Sequence, residues 1–262
     1  MKNVIYKKLI LSTLTMAICS SLSAAETSKA NTEKKGLDFE RIVVTGVSGK
    51  GSTVMASSVS VSNLSADELE IATPRSTAEA FRSIPGIRAE SSGGEGNANI
   101  AVRGLPVAAG GAKFLQLQED GLPILQFGDI AFGNADIFLR LDSTVESIES
   151  IRGGSSSTLA TNAPGGIINM ISKTGISESG SIATTIGLDY DTLRTDFDFG
   201  GEINDTMYFH MGGFYRQGEG PRNTGYVGDN GGQIKANLTK EFDNGYVRVY
   251  YKHLEDKTTG YL

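Results

Sequence analysis

After Gly175 the chain alternates in steps of two. Ile182, Thr184, Ile186, Leu188 and Tyr190 share one phase against Ser181, Ala183, Thr185, Gly187 and Asp189. Leu193, Thr195, Phe197 and Phe199 then oppose Arg194, Asp196, Asp198 and Gly200. Met207, Phe209, Met211 and Tyr215 oppose Tyr208, His210 and Arg216, and Ile234, Ala236 and Leu238 oppose Gln233, Lys235, Asn237 and Thr239. Val247, Val249 and Tyr251 oppose Arg248, Tyr250 and Lys252. Successive side chains of a strand point to opposite faces, so these stretches predict five strands, each with one apolar and one polar face. That is the pattern of transmembrane β-barrel strands, apolar toward lipid and polar toward the lumen; a five-stranded soluble sheet is the alternative. Asn204-Asp205 and Asp243-Asn244-Gly245 are tight turns, whereas Gln217–Gly231 is a longer glycine-rich loop. Short turns on one side and long loops on the other fit the same reading.

Between Gly46 and Gly175 the pattern is mixed, as in an α+β domain. Ser65-Ala66-Asp67-Glu68 and Ser76-Thr77-Ala78-Glu79 read as capping boxes opening two helices, which Pro74 and Pro85-Gly86 stop. Ile87–Glu90 and Asn99–Arg103 are short strands around a glycine-rich connection, and Phe114–Glu119 alternates before a turn at Asp120-Gly121 into Leu122-Pro123-Ile124. Two apolar runs, Ser147–Arg152 and Ile167–Ser172, flank a small-residue segment in which Gly153, Gly154, Gly165 and Gly166 suit close backbone approach and Ser157–Thr161 fits one helical turn. Phe81, Ile87, Ile100, Val102, Phe114, Leu117, Ile148, Ile151, Ile167 and Ile168 supply enough apolar surface for one core.

The start of the chain adds a compartment. Lys2, Lys7 and Lys8 precede a mostly apolar run from Leu9 to Leu22, and Ser23-Ala24-Ala25 offers a cleavage site, so Met1–Ala25 reads as an export signal. A lipoprotein reading through Cys19 is poor, because Ile18 is too bulky before the modified cysteine. Beyond Ala25 the chain has no cysteine and carries 21 basic groups against 30 carboxylates, a formal charge of −9. Disulfides are thereby excluded, and the acidic balance argues against nucleic acid as a partner. Glu26–Asp38 is polar without periodicity and reads as a mobile tail. It leads to Glu40, Arg41, Ile42, Val43, Val44, Thr45 and Gly46, a short β-former able to add to another protein's sheet edge; the first strand of the following domain is the alternative. Gly46–Thr53 is no phosphate loop, because two residues rather than four separate Gly46 from Gly49, and Gly51 follows Lys50.

Several of these pieces, in this order, resemble the plug domain of TonB-dependent outer-membrane receptors. They are Glu40–Gly46, Arg103-Gly104, Asp120-Gly121-Leu122-Pro123, the strand ending in Arg152-Gly153, and Gly165-Gly166 leading to Asn169. Gly153-Gly154 stands where Gly-Pro is usual, and Leu159-Ala160 where Tyr-Gly is common. The resemblance implies a signal peptide (1–25), a tail with a TonB-box-like segment (26–46), a plug (47–177) and about five leading strands of an incomplete barrel (178–262). It implies that Glu40–Gly46 engages a TonB-type periplasmic energy transducer, and that plug loops bearing Lys113, Phe127, Asp129, Phe132, Asn134 and Asp136 touch a ligand in the outer vestibule. Packing of the phenylalanines against the barrel wall is the other reading of those loops. The tail is too short for the extra N-terminal signalling domain of some members.

Five strands cannot close round a plug, since plugged barrels of this kind have about 22 strands. Open edges in hydrocarbon would leave peptide groups unpaired at several kcal/mol each. The chain is therefore expected to be the N-terminal part of a longer receptor in contact with outer-membrane lipid. An exported enzyme is not expected: no H-E-x-x-H, G-x-S-x-G or Cys/His metal spacing occurs, His210 and His253 sit on separate strands, and no cofactor or metal is implied. A passive porin or adhesin would leave residues 40–175 without a role. An iron–siderophore or similar chelate is the first expectation for the ligand, with oligosaccharide or cobalamin as alternatives. The absence of tryptophan weakly disfavours sugar stacking.

Overall fold

The computed structural model describes residues 42–43, 52–53, 60–91, 94–96, 98–105, 114–124, 135–153, 160–161, 163–188, 191–220 and 222–260. The signal, the tail, the turn at 157–159 and most of the two plug loops lie outside these residues. β1 (Ile42–Val43) pairs antiparallel with β2 (Ser52–Thr53).

The plug is built on a five-stranded sheet of order β3-β8-β9-β6-β7, from β3 (Ser60–Ser65), β6 (Leu115–Glu119), β7 (Leu122–Pro123), β8 (Val145–Arg152) and β9 (Gly166–Ser172). All neighbours are antiparallel except β6 and β9, which run parallel. Helices α1 (Ala66–Ala72) and α2 (Thr77–Arg82) and the hairpin of β4 (Ile87–Glu90) with β5 (Asn99–Val102) complete the domain. Leu69, Phe81, Ile84, Ile100, Val102, Leu117, Ile148 and Ile168 meet in one core.

Local chemistry sets these elements, with three corrections to the sequence reading. Ser65 and Glu68 form a full capping box, but at α2 only half of one exists. Ser76 accepts the Glu79 amide, while the Glu79 carboxylate turns to the Arg75 amide and guanidinium, both at 2.8 Å. Arg75 precedes the cap and offers a charge-assisted partner that outcompetes one more neutral amide. In β6 the expected alternation of exposure is absent: Leu115, Gln116, Leu117 and Gln118 are all buried. β6 is interior to its sheet and covered on both faces, so Gln116 and Gln118 bond each other (2.6 Å) and the Thr161 carbonyl (2.8 Å) instead of water. Phe114 precedes β6 and is only half-buried.

The second sheet is an antiparallel meander: β10 (Ser179–Gly187), β11 (Thr192–Asn204), β12 (Met207–Gly218), β13 (Asp229–Phe242) and β14 (Gly245–Lys257). β11–β12 and β13–β14 join through two-residue turns, and β12–β13 through the long loop. Its burial is inverted relative to a soluble protein. Gln233, Lys235, Asn237 and Thr239 face inward and are buried, whereas Ile182, Phe199, Leu238, Val247 and Val249 face outward and are exposed, Val249 at 63% against Gln233 at 2%. The register lines the outward residues into a continuous apolar band, with Ile182 opposite Phe197, Phe199 opposite Met211, Phe209 opposite Leu238, and Leu238 opposite Val249. A water-facing sheet hides its apolar phase, so one that hides its polar phase is built to face hydrocarbon.

Candidate functional site

The polar phase of the wall is buried because it meets the plug. Antiparallel register sorts the inward residues into rows across neighbouring strands. Arg194, Arg216 and Asp256 share one row; Asp196, Phe214 and Gln233 the next; Asp198, Lys235 and Lys252 a third; His210, Asn237 and Tyr250 a fourth.

Each row receives a plug group. In the first, Glu95 lies 2.8 Å from Arg216, and Asp256 accepts from both Arg216 (2.7 Å) and Arg140 of the plug (2.6 Å). Arg194 stacks 4.0 Å over the Phe214 ring, holds Asp196 at 2.8 Å and donates to the Leu141 carbonyl at 2.6 Å. In the second row Gln233 donates to Asp142 (2.7 Å). In the third, Glu119 bridges Lys235 (2.8 Å) and Lys252 (2.7 Å), while Lys173 reaches Asp198 (3.2 Å). In the fourth, Asn237 donates to the Lys173 carbonyl (2.7 Å), and His210 sits 3.2 Å from Asp198. Paired charges and bonded amides keep the burial affordable, since a buried charge without a partner costs several kcal/mol.

Burial and neighbouring cations compete over titration on the plug side. Burial pushes the Glu95 carboxyl above the ordinary glutamate range, and Arg216, Arg194 and Arg140 only partly offset it. Burial acts the same way on Glu119, but there Lys235 and Lys252 outweigh it and hold the carboxyl below that range. A cavity of about 220 Å³ opens beside Glu119, between the turn Glu119–Ile124 and wall residues that include Lys235, Asn237, Tyr250 and Lys252.

The plug motif residues gather in two clusters, the second of which touches this ladder through Ser172. At one, Arg103 (φ 47°) and Gly104 (φ 75°) turn the chain after β5, and Arg103 donates to Ser60 Oγ at 2.9 Å. Arg152 reaches the same corner through the Pro85 carbonyl and Ser62 Oγ, the latter at 2.6 Å. Burial, and then the neighbouring Arg103, push the Arg152 guanidinium below its usual range. Gly153 and Gly165 bond through their backbones (3.0 Å), and a Cβ on Gly166 would stand 2.6 Å from the Ile151 carbonyl. At the other cluster, Asp120 (φ 52°) and Gly121 (φ 81°) make the β6–β7 turn. Asp120 accepts from the Ser172 amide and hydroxyl, both at 2.7 Å, and Asn169 accepts the Gly121 amide at 3.0 Å.

Of the expected ligand-contact residues only Asp136 is described. It is buried in the one-turn helix Ala135–Phe138 and accepts the Ala98 amide at 2.7 Å, tying two plug segments together. Lys113, Phe127, Asp129, Phe132 and Asn134 lie outside the described residues, as do Glu40, Arg41, Val44, Thr45 and Gly46. The ladder residues themselves went unnamed as a site in the sequence reading. Their only signal was membership of the polar phase, which says which way Arg216 points but not that Glu95 waits there.

Residues 53–167 match the TonB-dependent receptor plug domain. The pesticin receptor of Yersinia pestis is 26% identical over 181 residues, which span 69% of this chain and 26% of the receptor. The alcaligin outer-membrane receptor FauA of Bordetella pertussis superposes with a TM-score of 0.60 at 17% identity, covering 84% of this chain and 35% of that one. The siderophore receptor PirA of Acinetobacter baumannii does so with a TM-score of 0.56 at 21% identity, covering 73% and 31%. At such identities the structural likeness is one of fold, and the chain spans about a quarter to a third of these relatives' lengths. Residues 53–167 thus match a TonB-dependent receptor plug domain, and the strands that follow share the fold of the barrels of those structures.

Proposed function

We propose that the chain forms the plug and leading wall of a ligand-gated active-transport receptor of the outer membrane, exported through Met1–Ala25 and energised through Glu40–Gly46 by a TonB-type periplasmic protein. The observation that carries this reading is the plug–wall seam. It is a ladder of ion pairs and amide bonds, from Glu95–Arg216 to Lys173–Asp198, rather than a dry apolar core. A seam of that chemistry holds the plug in place, yet water can replace its bonds when the plug is pulled, because solvated ions recover most of what the pairs supply. Addition of the Glu40–Gly46 strand to a partner's sheet edge would extend or replace the β1–β2 pairing.

For the ligand we propose a ferric siderophore or similar chelate; PirA is named as a siderophore receptor. The loops bearing Lys113, Phe127, Asp129, Phe132, Asn134 and Asp136 are proposed to meet it. The test is growth and labelled uptake in a deletion strain complemented with the full receptor gene, on ferric chelates, cobalamin and oligosaccharides in parallel. Uptake of a ferric chelate that ceases when the proton gradient is collapsed is expected. Uptake of cobalamin or sugar alone would replace the ligand class, and uptake indifferent to the gradient would favour a passive porin.

A further inference from the structure

Lys235 of β13 and Lys252 of β14 stand directly opposite each other on the inward face. Like charges in that position repel and destabilise a strand pair, and low-dielectric surroundings strengthen the repulsion. Both ammonium groups are satisfied by one plug carboxylate, Glu119 Oε1 at 2.8 Å from Lys235 and Oε2 at 2.7 Å from Lys252. Further acceptors steady them: Ser172 Oγ for Lys235 at 3.1 Å, and the Phe138 carbonyl for Lys252 at 2.8 Å. Glu119 closes β6 just before the two-residue turn to β7, which is held to β6 by only two residue pairs, and the cavity of about 220 Å³ adjoins it.

We propose that Lys235 and Lys252 form an oxyanion site on the barrel wall, for which Glu119 is a tethered occupant, and that a carboxylate- or phosphate-bearing small molecule takes its place when the plug shifts. The two ammonium groups present bidentate donors to two oxygens on one atom, the geometry the Glu119 carboxylate displays. The adjoining cavity supplies room for the rest of a small anion without displacing the wall. The idea that the occupant is a transported ligand rests on the reading above; the site itself does not.

The test is amine acylation of the full receptor in isolated outer membranes, read at each lysine by mass spectrometry, with inorganic phosphate, citrate or chloride added at equal ionic strength. In the wild type Lys235 and Lys252 should react slowly whichever anion is present. In Glu119→Gln both should react faster, and phosphate or citrate should slow them about tenfold, the effect expected of a charge-assisted bond of about 1.5 kcal/mol. Glu119→Gln combined with Lys252→Met should lose the protection of Lys235. Should Glu119→Gln not fold, Glu119→Asp, whose carboxylate sits one methylene short of the two ammonium groups, should show partial protection by phosphate. The proposal is overturned if chloride protects as well as phosphate, if protection survives the loss of Lys252, or if neither Glu119 variant responds to any anion. Protection without chelate uptake would keep the site and remove the transport reading, and uptake without protection would do the reverse.

Discussion

Glu95 and Arg216 are 121 positions apart and meet at 2.8 Å, both almost wholly buried, one on the plug and one on the wall. Arg216→Met strips Glu95 of its nearest cation and should destabilise the seated plug by about 3–5 kcal/mol, the usual loss when one member of a buried pair is removed. Adding Glu95→Gln should recover part of that loss, because the remaining group no longer carries charge. Denaturant melts of the four variants in a double-mutant cycle measure it, and additive losses would mean the pair is not coupled.

Gly165 offers a steric test of the plug motif. A Cβ there would lie 2.5 Å from Val102 Cγ1 and 2.8 Å from the Phe114 carbonyl, so Gly165→Ala should cost about 1–3 kcal/mol as overpacking. Gly245→Ala, where a Cβ meets nothing within 4 Å, should leave the melt unchanged. Equal effects at the two sites would remove close approach as the reason for glycine at 165.

What the sequence discloses follows from the range of each interaction. The period-2 phases after Gly175 and the Ser65–Glu68 box are local, so residues a few positions apart reveal them. The parallel pairing of β6 with β9 and the ladder of wall and plug charges join segments far apart in sequence, and no local pattern encodes which lysine meets which carboxylate. Gln116 and Gln118 show the limit within one strand: alternation predicts a face, but a strand covered on both sides buries both phases and bonds its amides to each other. Glu79 shows another, since Arg75 competes for the carboxylate a capping box assumes.

The Glu119 bridge should make the seam sensitive to acid. With its carboxyl held below the ordinary value of 4.5, Glu119 contributes stability that is complete above the unfolded glutamate value. That contribution is lost as pH falls through the depressed folded value. Protease protection of the plug should therefore decline in acid below the ordinary glutamate range, and Glu119→Gln should be less protected at neutral pH and flatter with pH. A variant with the wild-type pH profile would assign the acid sensitivity to other groups.

Val44→Pro should abolish energised uptake while leaving ligand binding at the cell surface intact, because proline removes a main-chain donor from the segment proposed to pair as an added strand. Surface binding and gradient-dependent accumulation of the same labelled chelate separate the two steps. Accumulation at the wild-type rate would mean that coupling does not run through Glu40–Gly46.

The two sheets should part company in water. Residues 40–177 hold a core in which Phe81, Ile148 and Ile168 are fully buried, and the plug face toward the wall is polar, with Glu95, Glu119, Arg140 and Asp142. Expressed alone, that span should be a soluble monomer, of modest stability because those groups exchange ion pairs for water. Residues 26–262 add an outward band in which Ile182, Phe199, Leu238, Val247 and Val249 are exposed together, beside strand edges at β10 and β14. Contiguous apolar surface next to unpaired edges drives association, so this longer span should sediment as aggregate without detergent and disperse with it. Sedimentation of the two side by side decides the point. A soluble monomer from 26–262 would require the apolar phase to be covered in water, by refolding that turns the sheet inside out, and the ion-pair ladder that now buries Lys235 and Arg216 could not survive it.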